Sequence, residues 1–314
     1  MHAGSPIDRR ALGLALSRLA NARVDEVLAM QHDGAVAAVP RIGLTGPPGA
    51  GKSSLGGRLA LARTRTRRIG MLAIDPSSPR SGGAILGDRI RIDELEGAGE
   101  LYVRSLASRS AADGLADNLP ELLHAMERAG FDEIVVETVG VGQAEHAARS
   151  LVDTLVLVLD PGGGDAVQAM KAGIMELADV YVINKSDLSG AAQLAGEIRR
   201  VLQAFPPAAG AWRPPVLATS IRDAASIEVL SASIDAHQRW LREAGLEATR
   251  RVERARYRLR NLLERCVAET VVALPPGFFD EPLATQVDAA LDRLAPSRRR
   301  ARPHDPPTGK GDEP

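Results

Sequence analysis

The sequence predicts an α/β protein built on a mostly parallel, doubly wound sheet, with helices ahead of it and a helical arm behind it. Three observations carry this. Short aliphatic runs recur from about residue 40 to residue 220: "RIGLTG" (41–46), "IGMLAID" (69–75), "DEIVVET" (132–138), "DTLVLVLD" (153–160), "DVYVINK" (179–185) and "PPVLATS" (214–220). Their apolarity is continuous rather than alternating, which suits strands buried on both faces. Helical stretches separate them, and strand–helix alternation builds parallel sheets.

Leu12, Leu16, Leu19, Val24 and Leu28 fall at helical spacing within 9–31, so one or two helices lead the chain. "ALGLALSRLA" is too short for a membrane span and Arg18 interrupts it, so it reads as an amphipathic helix rather than a targeting segment. After residue 220 the strand signals stop. "RVERARYRLRNLLERCV" places Val252, Leu259, Leu262, Leu263 and Cys266 on one helical stripe among arginines, and "EPLATQVDAALDRL" is a second amphipathic stretch beyond "LPPG". Such faces need a cover, either the body of the same chain or a second subunit. The tail "PSRRRARPHDPPTGKGDEP" lacks the apolar content to fold. The expected division is a helical extension over 1–40, a nucleotide-binding domain over 41–245, a helical dimerisation arm over 246–294 and a disordered tail over 295–314.

Composition removes several functional classes. Aromatic residues are 3% against 45% hydrophobic overall, so the core is aliphatic. A formal net charge of −1 argues against a nucleic-acid binder. The single cysteine, Cys266, excludes an intrachain disulfide and a thiolate metal cage, and the six histidines are far apart. No apolar run is long enough to span a membrane, and a cytoplasmic location is expected.

The chemistry starts at "TGPPGAGKSS" (45–54), where Gly46, Gly51, Lys52 and Ser53 fit G-x-x-x-x-G-K-[ST] between a strand and a helical stretch. Glycines let consecutive backbone N–H groups face an anion, and the helix N-terminus adds its positive end. The expected nucleotide cradle is Gly46, Pro47, Pro48, Gly49, Ala50, Gly51, Lys52, Ser53 and Ser54. Lys52 would reach the β- and γ-phosphates, and the Ser53 hydroxyl would bind Mg2+. The second motif, "NKSD" (184–187), follows the apolar "VYVI". A carboxylate at Asp187 accepts two hydrogen bonds from the ring N–H and exocyclic amine of guanine, and adenine offers no such pair of donors. Lys185 would lie along the base and Asn184 would brace the loop. "LATS", with Ser220 and Ile221 at its end, is expected to bring a backbone amide to the guanine oxygen. GTP or GDP is therefore the expected nucleotide.

Carboxylates at strand ends beside a triphosphate position metal and water. Asp75 ends "MLAID", Asp88 follows a glycine-rich stretch, and Glu137 ends "EIVVE" ahead of Gly140 and Gln143. Asp75 and Asp88 read equally as helix-cap or turn aspartates, and Gln143 would touch water or the next subunit. The candidate metal set is Ser53, Asp75, Asp88 and Glu137, and the candidate catalytic set is Lys52, Asp75, Asp88, Glu137 and Gln143, with Gly140 near the γ-phosphate.

Together, the phosphate loop, "AIDPSSPRSGGAILGDRIR", "VVETVGVGQAE", "GGGDAVQAMKAGIMELADV" and "NKSD" resemble the MeaB/ArgK/MMAA family over roughly residues 10–290. That resemblance implies a P-loop NTPase of the SIMIBI class, a GTPase that gates adenosylcobalamin delivery to an acyl-CoA mutase and protects it. It implies a homodimer formed through the C-terminal arm and an adenosyltransferase as a further partner. Because the sequence identifies no general base or arginine finger, intrinsic hydrolysis is expected to be slow and to rise when the mutase or the dimer orders the switches. The resemblance makes "PGGGDAVQAMK" a third switch in which Asp165, Gln168 and Lys171 couple nucleotide state to the mutase. Asp113, Ile221 and His146 depart from the family pattern, and the motifs name the class of mutase rather than its member. Two other readings compete. A nickel-delivery GTPase needs clustered Cys and His ligands, which this sequence lacks. A P-loop kinase or ATPase linked to amino-acid transport needs ATP, which "NKSD" disfavours.

Overall fold

The computed structural model describes residues 7–30, 39–76, 100–108, 118–138, 143–162 and 177–294. In chain order its elements are α1 (Arg9–Asn21), α2 (Val24–Ala29), β1 (Arg41–Thr45), α3 (Lys52–Arg63), β2 (Ile69–Pro76), β3 (Leu101–Ser108), α4 (Leu119–Arg128), β4 (Glu133–Glu137), α5 (Gln143–Leu151), β5 (Thr154–Leu159), β6 (Val180–Ile183), α6 (Ala191–Ala204), β7 (Val216–Ala218), α7 (Ala224–Glu243), α8 (Glu247–Val272), a 3₁₀ turn (Pro276–Asp280) and α9 (Leu283–Leu294). Seven strands form one sheet in the order β3-β2-β4-β1-β5-β6-β7. Every pairing is parallel.

Burial on both faces explains the unbroken apolar runs. β1, β4, β5 and β6 are buried along their whole length. Successive side chains point to opposite faces, so Ile134 and Val136 join Leu12, Leu16 and Leu122 on one side, while Val135 joins Leu55, Leu59 and Ile234 on the other. A third cluster packs α6 on Leu157, Leu159 and Tyr181. The central strands are thus held by aliphatic layers above and below, and their C-terminal ends share one edge.

The sequence runs marked six strands, and the sheet has a seventh. β3 pairs with β2 over Ile69↔Leu101 through Pro76↔Ser108 at the sheet's edge. Its run "LYVRSLAS" carries Arg104 and Ser105 in mid-strand, where the central strands are aliphatic. One of them, Arg104, donates to Ser17 Oγ on α1 at 2.7 Å, so the polar position serves to hold the leading helix.

The body of the chain covers only part of the arm's expected stripe. Val252, Leu259 and Leu263 are exposed at 48%, 60% and 45%, while Leu262 and Cys266 are half-buried. The buried residue of α8 is Tyr257. Arginines on the docked face hold the helix down: Arg254 pairs with Asp153, Arg258 with Glu121 at 2.6 Å, and Arg265 donates to Asn118 and to Ala22 O at 3.0 Å. Charge pairing fixes α8 to the body and leaves Val252, Leu259 and Leu263 facing outward.

Candidate functional site

The C-terminal ends of β1, β4 and β6 bring three loops together. β1 ends at Thr45 and the chain turns through 46–51 into α3. The turn needs glycine at two points. Gly46 has φ 137° and a Cβ there would lie 2.0 Å from Val158 O; Gly51 has φ 85° and a Cβ would lie 2.6 Å from Asn184 Nδ2. Gly51 also caps α3, so the helix N-terminus opens directly on the loop. Lys52 is buried, and its Nζ donates to Gly46 O at 2.8 Å and Pro47 O at 3.0 Å. The ammonium is curled under the loop, where an anion seated on the amides would meet it. Pro48 and Gly49 are exposed at the lip, Ala50 is buried, and Ser53 and Ser54 sit in the first turn of α3.

Ser53 Oγ donates to Glu137 Oε1 at 2.6 Å, across 84 residues of chain. Thr138, next in sequence, donates its N–H to Leu44 O and its hydroxyl to Thr45 Oγ1 at 3.1 Å. The end of β4 is thereby locked to the end of β1. A hydroxyl beside a carboxylate is a hard-oxygen pair suited to Mg2+, which binds through one or two protein oxygens with water and phosphate completing the shell. Among the described residues no group of three or more His, Cys, Asp or Glu could hold a metal ion by itself, as a nickel site would require.

The third loop begins at Asn184. Its side-chain amide donates to Ala50 O at 2.8 Å and its Oδ1 accepts from Thr219 Oγ1 at 3.2 Å. Lys185 adopts a left-handed φ of 53°, and its Nζ bonds Gly49 O at 2.6 Å and Asp160 Oδ2 at 2.7 Å. Asp187 accepts from Ser220 Oγ at 3.0 Å and pairs with Arg222 at 3.3 Å. Hydrogen bonds from its own backbone and from Ser220 hold its carboxyl below the usual range, so it is ionised at neutral pH. Ser220 is itself fixed, its N–H donating to Ser226 Oγ, and Ile221 beside it is 43% exposed.

Asp75 lies in β2 in register with Ala107, and Gln143 is the first residue of α5. The side chains of Asp75, Gln143 and His146, and all of Asp88, Asp113, Gly140, Asp165, Gln168 and Lys171, lie outside the described residues. The sequence reading missed Asp160, Thr219 and Arg222. Asp160 closes the run "DTLVLVLD" and Thr219 sits inside "LATS", so the sequence marks both as strand ends but shows no contact for either. Arg222 had no sequence signal.

The family description "Methylmalonyl Co-A mutase-associated GTPase MeaB" matches residues 9–275. The chain belongs to the MeaB family. A Caulobacter vibrioides protein that carries a provisional GTPase name is 37% identical over 91% of this chain and 93% of its own length. The mouse protein "Methylmalonic aciduria type A homolog, mitochondrial" is 36% identical over 73% of this chain and 56% of its own. A solved structure titled "Crystal structure of LAO/AO transport system kinase" aligns with a TM-score of 0.59 over 92% of this chain and 99% of that one, at 23% identity, and shows the shared fold. This MeaB-family chain is a P-loop GTPase on a seven-stranded parallel sheet. Among its described residues no helix is long and apolar enough to cross a membrane.

Proposed function

We propose that this chain binds GTP, hydrolyses it slowly, and uses the nucleotide state to gate adenosylcobalamin delivery to an acyl-CoA mutase of the methylmalonyl-CoA mutase type, which it also protects. The observation that carries the reading is the tie between Asn184 and Ala50. It ties the loop that carries the base-side carboxylate of Asp187 to the phosphate loop. The family description supports the mutase as partner.

In this reading the amides of 46–53 and the α3 N-terminus hold the phosphate chain. Lys52 exchanges its two carbonyl partners for β- and γ-phosphate oxygens. Ser53 and Glu137 hold Mg2+, joined by Asp75 and Asp88; when bound, the ion neutralises charge on the phosphates. Gln143 and Gly140 order the attacking water and the γ-phosphate. Asp187 selects guanine, Ser220 steadies that carboxylate, and the backbone at Ser220 and Ile221 meets the base oxygen. Asp165, Gln168 and Lys171 carry nucleotide state to the mutase. The exposed stripe of Val252, Leu259 and Leu263 pairs with a second copy of the chain. An adenosyltransferase supplies the cofactor.

The test is capture of the mutase by the purified protein loaded with a non-hydrolysable GTP analogue or with GDP, alongside turnover with and without the mutase. A nucleotide-dependent complex and faster hydrolysis are expected. Equal turnover with and without the mutase overturns the reading.

A further inference from the structure

At the opposite end of β6 from Asn184, a cavity of about 930 Å³ opens between α6, the 205–215 loop, α7 and α8. β6 is only Val180–Ile183, so the two sites sit at the two ends of one short strand. Its volume falls in the range of small-molecule sites.

The chemistry of its walls is specific. Arg149, Arg199, Arg213 and Arg250 line it, against one acid, Asp179. That acid is already consumed: its Oδ2 accepts from Arg149 at 2.5 Å and from Leu155 N–H at 2.8 Å. Arg250 pairs with Glu253 at 3.0 Å. Arg199 donates only to the Val216 carbonyl at 3.1 Å, and among the described residues neither it nor Arg213 has a carboxylate partner. The cavity therefore carries an excess of guanidinium donors in a fork geometry that matches phosphate or carboxylate oxygens.

Two indole rings form the other wall. Trp212 and Trp240 lie 5.9 Å apart, centroid to centroid. His237 backs both of them, at 4.9 Å from Trp212 and 5.7 Å from Trp240. The Trp212 indole N–H donates to Asp179 O at 2.7 Å, so its ring plane is fixed before any ligand arrives. Phe205 stands at the rim, 80% exposed. Indole rings held in place in a cavity that arginines also line, Arg199 and Arg213 at its exposed side, suit a flat ring joined to an anion.

We propose that this cavity is a second ligand site, distinct from the phosphate loop, for a small anion bearing a flat ring, with nucleoside monophosphates as the representative chemistry. The guanidinium groups of Arg199 and Arg213 take the anion and the indoles take the ring.

The chain has two tryptophans, and both line this cavity. Intrinsic tryptophan emission therefore reads the site directly. The experiment titrates the full chain, preloaded with saturating GDP, with adenosine 5′-monophosphate, with adenosine and with inorganic phosphate. A saturable quench by the monophosphate is expected, at least about tenfold tighter than by either fragment. The R199A/R213A double variant should melt at the parent temperature and lose that quench, and R213A alone should weaken it. No saturable change below about 10 mM, an unaltered quench in the double variant, or a quench that GDP abolishes would each overturn the proposal. Equal affinity for inorganic phosphate would overturn the role given to the rings.

Discussion

The Asn184 side-chain amide donates to the Ala50 carbonyl across 2.8 Å, joining two loops 134 residues apart. The same side chain accepts from Thr219 Oγ1, so one buried amide holds the phosphate loop, the end of β6 and the end of β7. Gly51 lies against it closely enough that no Cβ fits between. The frame of the nucleotide site is thus set by a residue whose work is done on other protein groups.

Replacing Asn184 by Ala strands the Ala50 carbonyl and the Thr219 hydroxyl in a buried place. A buried polar group left unmade costs about 1–3 kcal/mol. The variant should melt earlier, by the equivalent of about 2 kcal/mol, and bind GDP at least about tenfold more weakly because both loops loosen. Calorimetry and thermal denaturation check this. Unchanged GDP affinity would show that the two loops are held by other contacts.

The Asp187 carboxylate is ionised and presents two acceptors. In the Asp187→Asn variant one acceptor becomes a donor, which mismatches the guanine amine and matches the 2-oxo group of xanthine. GTP affinity should fall by about a hundredfold and xanthosine triphosphate affinity should rise. Competition binding with GTP, ATP and xanthosine triphosphate measures the switch. A variant that keeps its GTP preference removes Asp187 from base selection.

Much of this architecture was legible because its causes are local. Strands buried on both faces have aliphatic interiors, with polar residues such as Arg41, Thr45, Glu133 and Glu137 at their ends, and β1, β4, β5 and β6 were readable for that reason. The glycines at 46 and 51 were readable because only glycine fits those turns. β3 was not, because an edge strand can carry Arg104 and Ser105. The contacts of Asp160, Thr219 and Arg222 were not either, since each depends on chain segments brought together only by the sheet. The docking of α8 shows the same limit. Helical periodicity finds the apolar stripe, but the docked face is fixed by arginines whose carboxylate partners lie more than a hundred residues away.

That outward stripe makes a prediction about assembly. Leu259 and Leu263 are exposed, whereas Arg254 and Arg258 hold the opposite side of α8 to the body. Leu259→Asp with Leu263→Asp should therefore break a dimer without disturbing the fold. Light scattering should report the mass of one chain in place of two, with melting temperature at low concentration and GDP affinity unchanged. A dimer that survives the double change places the interface elsewhere.

His237 sets a pH dependence. It is fully buried, with Nδ1 2.9 Å from Thr154 Oγ1 and Nε2 3.3 Å from Asp179 Oδ1. Burial pushes its pKa from 6.5 down to about 4; the carboxylates of Asp179 and Asp153 oppose this, and Arg149 and Arg250 reinforce it. The neutral ring is the native form. An unfolded chain takes up the proton near 6.5, whereas the folded chain resists until about 4. Between those values the unfolded state binds more protons, so stability falls as pH falls. The contribution is fully present above the unfolded value and is lost progressively on acidification, to the extent of about 3 kcal/mol across the window. A glutamine at this position carries no titrating ring. His237→Gln should be less stable than the parent at neutral pH, because a packed ring is gone, yet show a flatter decline on acidification. Urea denaturation at a series of pH values from about 7 to about 4.5 compares the two slopes, and parallel slopes would assign the acid sensitivity to other groups.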